Sequence, residues 1–279
     1  MIRVEELWKS FGGQEVLRGV SFEIQPGEFT ALIGLSGCGK SLLLRHLVGL
    51  LKPDRGRVWL GGQEIGKASA RQLEFLRSRI GFVFQGGALF DSMTVYDNVA
   101  FPLRESAGLP EAAIRRKVEE ELELVGLRNA AGKFPAQLSG GMLKRVALAR
   151  ALVRDPEIVL IDEPTTGLDP VVSRAVLELF GSVHRRLKLT GILVSHEIPR
   201  IFDIVQRVAM LHEGRIIAME TPERFCAPPD PVIRQFVNGS SVGQCVSPAR
   251  VPNRLPGRRD ALLCSTAQPT FVTRGKCRV

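Results

Sequence analysis

Gly34-Leu35-Ser36-Gly37-Cys38-Gly39-Lys40-Ser41 stands between an apolar run of β type, Phe29 to Ile33, and an apolar helical run, Ser41 to Leu51. A glycine, four residues and then Gly-Lys-Ser is the spacing of a loop that wraps phosphates. A strand before it and a helix after it are the context that spacing requires. Glycines let backbone N–H groups turn inward, so Gly34, Ser36, Gly37, Cys38 and Gly39 form an anion cradle. Lys40 reaches the β and γ oxygens, and the Ser41 hydroxyl suits Mg²⁺ at a helix N-terminus whose dipole favours anions. Cys38, among these N–H groups and beside Lys40, is expected in an electropositive setting that favours its thiolate.

A second stretch completes the first. Ile158-Val159-Leu160-Ile161-Asp162-Glu163 is an apolar buried strand that delivers two acids to its C-terminal edge, the edge at which α/β sheets bind ligands. Adjacent acids need different work: Asp162 suits holding Mg²⁺ through water, and Glu163 orients and deprotonates an attacking water. Further out, Val20 to Ile24, Val58 to Leu60, Ile80 to Phe84, Ile192 to Ser195 and Val208 to Leu211 read as strands, and Val171 to Leu187 as a helix. Pro110 suits the first position of a helix over Glu111 to Val125, whose Ile114, Val118, Leu122 and Val125 form one stripe. Strands alternating with helices make an α/β core with a largely parallel sheet. The first third carries β-structure of its own, and a helical insert at about 86–137 interrupts the core.

The 279 residues are 44% hydrophobic and 24% charged, which excludes wholesale disorder, coiled coil and collagen-like repeats. Arg45 and Lys52 break the apolar run after Ser41, and no stretch approaches the roughly 18 residues of a membrane span. Acids at Glu5 and Glu6 stand where a secretion signal places basic and apolar residues, so a cytoplasmic compartment is expected. Five cysteines, one of them inside the glycine loop, make no disulfide framework. The formal charge of +9 is unevenly spread. Residues 240–279 hold seven basic side chains against Asp260 alone, a net +6, leaving +3 for residues 1–239. With four prolines and no sustained periodicity, 240–279 reads as a basic, mobile tail behind a folded body that ends near Gly239.

Leu138-Ser139-Gly140-Gly141-Met142, followed by Lys144-Arg145-Val146-Ala147-Leu148-Ala149-Arg150, resembles the signature of the ABC ATPases. Gln85 after a strand, Gly167-Leu168-Asp169 after the two acids and His196 after Ile192 to Ser195 fall in that family's order. The resemblance implies a P-loop ABC ATPase with a RecA-like core, an N-terminal antiparallel β-subdomain and an inserted helical subdomain, using ATP and Mg²⁺. Carried over by position, Phe11 matches the aromatic that stacks on adenine, an ordinary core phenylalanine being the other reading. Gln85 matches the residue that senses Mg²⁺ and the γ-phosphate, and His196 the one that contacts the γ-phosphate. Ser139, Gly140 and Gly141 open a helix and would offer a hydroxyl, N–H groups and a dipole to nucleotide held by a second protomer. One signature per chain therefore implies a homodimer, with Asp169 at the protomer boundary. His46, His184 and His212 match none of these positions and read as structural or surface residues. Two positions depart from the pattern: Leu42 replaces a threonine whose hydroxyl meets phosphate, and Met142 replaces the signature glutamine.

The run Gln85-Gly86-Gly87-Ala88-Leu89-Phe90-Asp91-Ser92-Met93-Thr94-Val95-Tyr96-Asp97-Asn98 onward to Glu105, with Met142 and Pro229 to Gly239, is similar to the ATPase subunit of the mammalian-cell-entry-linked lipid transporters, the Mla type. The similarity runs from about residue 3 to 239. It implies a peripheral protein at the cytoplasmic face of the inner membrane that energises movement of phospholipid or a related lipid. The partners implied are an integral membrane permease, a small STAS-type subunit and a lipid-binding periplasmic component. Leu89, Phe90 and Met93 lie where family members receive the permease's coupling helix, core packing within the insert being the alternative. An importer of a polar solute is a second reading. A soluble, non-transport ABC protein with nucleic-acid affinity in its tail is a third, but such proteins generally carry two cassettes or a long coiled-coil insertion, and this chain has neither. No specific nucleic-acid partner is expected.

Overall fold

A two-glycine turn, with Ile2, Val4 and Leu7 buried before it, starts the chain as a hairpin. In this computed structural model β1 (Ile2–Phe11) and β2 (Gln14–Ile24) pair antiparallel across Gly12 and Gly13, at φ 56° and 81°. Positive φ at both central residues is what a two-residue turn matched to strand twist requires. β3 (Phe29–Ile33), buried at every residue, runs through the glycine loop into α1 (Lys40–Leu47). β4 (Arg55–Leu60) pairs with β1 and β5 (Gln63–Glu64) with β4, completing a four-stranded antiparallel sheet in the order β2-β1-β4-β5. α2 (Ala70–Ser78), closed by a capping box of Ser69 and Gln72, leads to β6 (Ile80–Val83). Three helices follow, α3 (Val95–Glu105), α4 (Glu111–Leu124) and α5 (Gly140–Leu152). The chain then runs through β7 (Ile158–Asp162), α6 (Pro170–Leu187), β8 (Thr190–Val194), β9 (Arg207–His212), β10 (Arg215–Glu220), α7 (Pro222–Cys226) and α8 (Pro231–Val237).

The structure describes residues 1–105, 108–196, 198, 200–226, 230–237 and 239, so the expected tail at 240–279 lies outside the described residues, as do Pro229 and Asn238.

A second sheet has the order β10-β9-β3-β8-β7-β6, parallel except where β10 pairs with β9. Successive side chains of a strand face opposite ways, and the core divides accordingly. Phe29, Ala31, Ile33, Val159 and Ile161 pack with α3 to α6 on one side. Leu32, Ile158 and Leu160 pack on the other with Leu43, Leu44 and Leu47 of α1 and with Ile2, Val4 and Leu7 of the antiparallel sheet. The α/β fold with a β-subdomain and a helical insert is therefore the one observed.

Boundaries differ where local chemistry overrides periodicity. The helix expected to reach Leu51 stops at Leu47, because Gly49 follows at φ 67°. Pro110 is the cap of α4 rather than its first residue, with an extended backbone at ψ 147°. The strand expected over Ile192 to Ser195 begins two residues earlier, at Thr190.

Candidate functional site

The glycine loop ends the central strand β3, and each of its glycines is there for a reason of space or backbone. Gly34 has φ 149°, and a Cβ on it would lie 2.2 Å from the Leu211 carbonyl oxygen. Gly39 takes φ 105° at the cap of α1, turning the chain sharply enough to aim the helix N-terminus into the loop. Lys40 is buried at 5% exposure, its Nζ donating to Gly34 O at 2.9 Å and Leu35 O at 3.0 Å. Cys38 corrects an expectation. Burial pushes its thiol up, and the opposing pull of Lys40 is smaller, so the neutral thiol is favoured. Its side chain packs partly against the core cluster of the antiparallel sheet, as does that of Leu42. At position 42 an apolar contact replaces the hydroxyl that threonine would carry.

β7 brings both acids to this loop although β8 lies between β7 and β3 in the sheet. Ser41 Oγ donates to Asp162 Oδ1 at 2.9 Å. Asp162 is buried at 7% exposure, and that burial pushes its carboxyl up against the lowering effect of the Ser41 hydroxyl. A buried carboxylate and a hydroxyl are hard oxygen donors, which suit Mg²⁺, and a cation beside Asp162 would relieve its desolvation. Glu163 lies 4.0 Å (Oε1) from Lys40 Nζ and 3.7 Å (Oε2) from His196 Nδ1, and Thr166 Oγ1 donates to its Oε2 at 3.0 Å. Its φ of 44° is unusual for glutamate and is held by its N–H donating to Val194 O at 3.0 Å.

Phe11, Ser36, Gly37 and Gly39 join Lys40, Ser41, Leu42, Gln85 and Glu163 around one cleft of about 410 Å³. Phe11, at 43% exposure, is no core residue. Ser139, Gly140, Gly141 and Asp169 do not line this cleft. Ser139 caps α5 by accepting from Met142 N–H at 3.4 Å, and Asp169 caps α6 by accepting from Val171 and Val172 N–H at 3.0 Å. The signature glycines are closely packed: a Cβ would come 2.5 Å from Cγ1 of the stiff Val172 at Gly141, and 2.8 Å from Leu168 Cδ2 at Gly140, where the leucine end would have to move aside. Met142 packs against the core cluster of the helical side, which explains a thioether there.

Three residues inside the quoted runs order this region in a way their motifs do not specify, by bonding distant backbone. Lys144, buried on α5, donates to Gln85 O, and Arg150 one and a half turns on donates to Gly87 O and Ala88 O at 2.8 Å. The signature helix thus holds the loop that carries Gln85. Asn98, fully buried, accepts from Phe90 N–H at 2.8 Å and donates to Phe90 O, Met93 O and Thr94 O, fixing the turn that follows. Leu89 packs on the core, whereas Phe90 is 42% exposed with its ring 5.0 Å from that of Phe101. Of the other histidines, His46 is buried and hydrogen-bonds Leu42 O, and His184 stacks on Phe29 at 4.8 Å.

A larger groove of about 710 Å³ lies on the helical insert, but its charged side chains are taken up in ion pairs, Arg115 with Glu119 at 3.0 Å inside it, and Glu111 with Arg104 at 2.7 Å and Arg128 with Glu123 at 3.6 Å beyond its lining. The 410 Å³ cleft is instead lined by residues expected to meet phosphate, and the family profile described as ABC transporter matches residues 17–166, which supply most of its walls. The chain belongs to the ABC transporter ATPases. It is 42% identical to the probable ribonucleotide transport ATP-binding protein mkl of Mycobacterium leprae, over 87% of this chain and 70% of that protein. It is 40% identical to the intermembrane phospholipid transport system ATP-binding protein MlaF of Haemophilus influenzae, over 87% of this chain and 92% of that protein. A dimeric structure of the ATP-binding cassette MJ0796, in a post-hydrolysis state with ADP and Pi, matches with a TM-score of 0.73 at 30% identity, over 80% of this chain and 99% of that one. This ABC ATPase is an ATP-hydrolysing enzyme, and among its described residues no helix is long and apolar enough to cross a membrane.

Proposed function

We propose that this ATPase works as a homodimer on the cytoplasmic face of the inner membrane and drives a permease that moves phospholipid or a related lipid. The observation that carries the catalytic half is the convergence of Lys40, Ser41 and Glu163 on one cleft, with Asp162 bonded to Ser41 and His196 3.7 Å from Glu163 just beyond its lining, while Ser139, Gly140 and Gly141 of the signature do not line it. A complete site then needs the signature of a second copy.

Phosphates enter the ring of loop N–H groups, and Lys40 exchanges its two carbonyl partners for β and γ oxygens. Mg²⁺, held by Ser41, Asp162 through water and Gln85, would neutralise charge developing on the phosphates. Glu163 aligns the attacking water and accepts its proton, His196 donates to the γ-phosphate, and Phe11 stacks on the base. Ser139, Gly140 and Gly141 of the partner close over the γ-phosphate, with Asp169 at the boundary. Closure on ATP and reopening after hydrolysis are the strokes the permease uses, and the exposed Phe90 gives its coupling helix an apolar contact.

The lipid reading rests on the Gln85 to Glu105 run and on extent. Similarity reaches 92% of the phospholipid-system relative, against 70% of the ribonucleotide-transport relative, so the first is close to this chain in its whole layout. A STAS-type subunit and a lipid-binding periplasmic component belong to the same proposal.

The test is transfer of a fluorescent phospholipid by the ATPase reconstituted with its permease in proteoliposomes. ATP-dependent transfer is expected, together with at least ~100-fold slower hydrolysis and an accumulated ATP-bound dimer in Glu163→Gln. Hydrolysis stimulated by a ribonucleotide but not by lipid would overturn the substrate, and wild-type hydrolysis in Glu163→Gln would overturn the base.

A further inference from the structure

Lys9 and Phe11 come together at the end of β1, across a register shift between Lys9 and Ser10. Lys9 Nζ lies 5.3 Å from the centre of the Phe11 ring, within reach of a cation–π contact. The ammonium is tethered. It donates to Asp54 Oδ1 at 2.7 Å, while Asp54 Oδ2 accepts from Ser10 N–H at 2.7 Å and Asp54 N–H donates to Trp8 O at 2.9 Å. The segment leading into β4 is thereby fastened to both neighbours of Lys9. Hydrogen bonds from Lys9 and Ser10 also hold the Asp54 carboxyl below the usual carboxylate range. Phe11 lines the cleft and Lys9 does not, so the ammonium meets the ring from a position outside the lining of the cleft.

From this arrangement we infer that Lys9, anchored by Asp54, is a positioning residue for the nucleotide base, backing the Phe11 ring so that its other face is presented to adenine. The inference rests on the reading of Phe11 as the stacking aromatic. Two physical effects act in the same direction. The tethered ammonium restricts the ring of an otherwise exposed phenylalanine before the base arrives, removing part of the ordering cost of binding. Its charge also draws π density to the rear face, making the cleft face a better partner for an electron-rich purine.

Titration calorimetry on the full-length chain, with Mg-ATP and with inorganic tripolyphosphate as a probe that has no base, distinguishes the outcomes. Lys9→Met is expected to raise the Kd for Mg-ATP roughly two- to fivefold and to leave that for tripolyphosphate unchanged, with KM for ATP rising and kcat unaffected. Lys9→Arg, which keeps the cation, should restore most of the affinity. Phe11→Leu should weaken Mg-ATP alone. If Phe11→Leu weakens Mg-ATP and Lys9→Met does not, the role of Lys9 is refuted while the stacking reading stands. If Lys9→Met weakens both probes alike, its effect is on the fold of the loop and the inference fails. If Phe11→Leu leaves Mg-ATP affinity unchanged, the stacking reading fails and the role of Lys9 falls with it.

Discussion

Replacing Glu121 by glutamine should stabilise this protein at pH 8 and do much less at pH 5. Glu121 lies on α4, its Oε2 buried without a hydrogen-bond partner. Burial first, then the charges of Asp155 and Glu120, push its carboxyl up to about 7, against the opposing pull of Lys117 and Arg186. Moving a carboxyl from 4.5 to about 7 corresponds to a penalty of about 3 kcal/mol on its ionised form. The group is only partly enclosed, and solvent screening reduces that to about 1–2 kcal/mol. The folded protein binds this proton more tightly than the unfolded chain, so stability falls as pH rises from about 4.5 through about 7 and is level above. Glutamine matches the protonated acid in shape and inherits its one orphaned atom without adding a charge. Thermal melts should therefore place the variant about 2–8 °C above wild type at pH 8, with that gain at least halved at pH 5. An equal gain at both values, or a loss at pH 8, would refute the account of Glu121 as a buried, ionised carboxylate.

Two further outcomes follow from residues at opposite ends of the chain. Cys38, with a buried thiol pushed up, should react with maleimide at pH 7 more slowly than the exposed Cys226, as read by peptide mass spectrometry; faster labelling of Cys38 would restore the thiolate expected beside Lys40. Truncation after Gly239 should leave ATP hydrolysis within about twofold, ~0.4 kcal/mol in barrier, while low-salt binding to anionic vesicles drops. Lost hydrolysis in a folded truncated protein would place the domain boundary elsewhere, and unchanged vesicle binding would remove the membrane role from the tail.

The parallel strands were legible because a strand buried on both faces is a short, unbroken apolar run, as Phe29 to Ile33 and Ile158 to Ile161 are. β1 was not, because polar residues interrupt it at Arg3, Glu5, Glu6, Lys9 and Ser10 and because its pairing with β2 shifts register three times. α5 hides its period for another reason: it is buried nearly all round, with Val146, Ala147, Leu148 and Ala149 all enclosed, so no apolar stripe stands out. α3 conceals itself behind Pro102, an internal proline that sequence reading takes as a break. At the candidate site, the residues proposed to act by their chemical type, Lys40, Ser41, Asp162 and Glu163, were visible. For Lys144, Arg150 and Asn98 the motif was visible but the work was not: they hold carbonyls of the Gln85 to Thr94 segment, and nothing in a lysine, an arginine or an asparagine announces which carbonyl it will meet.

The cleft and the signature are built from one continuous piece of chain, and the signature glycines mark where it packs back on itself. Glu163 ends β7 in the cleft, its φ of 44° turning the chain into the segment that carries Thr165 and Leu168. Asp169 then caps α6, and Val172 in the first turn of that helix fills the space where Gly141 would carry a Cβ, as Leu168 does for Gly140. Glu163 is thus joined through a few bonded residues to the start of α5, where Leu168 and Val172 pack directly on Gly140 and Gly141. From α5, Lys144 and Arg150 return to the loop of Gln85, which lines the same cleft as Glu163. The circuit begins and ends at the candidate hydrolytic site and passes through the helix whose N-terminus the second protomer would use, so tight packing rather than a hinge joins these parts.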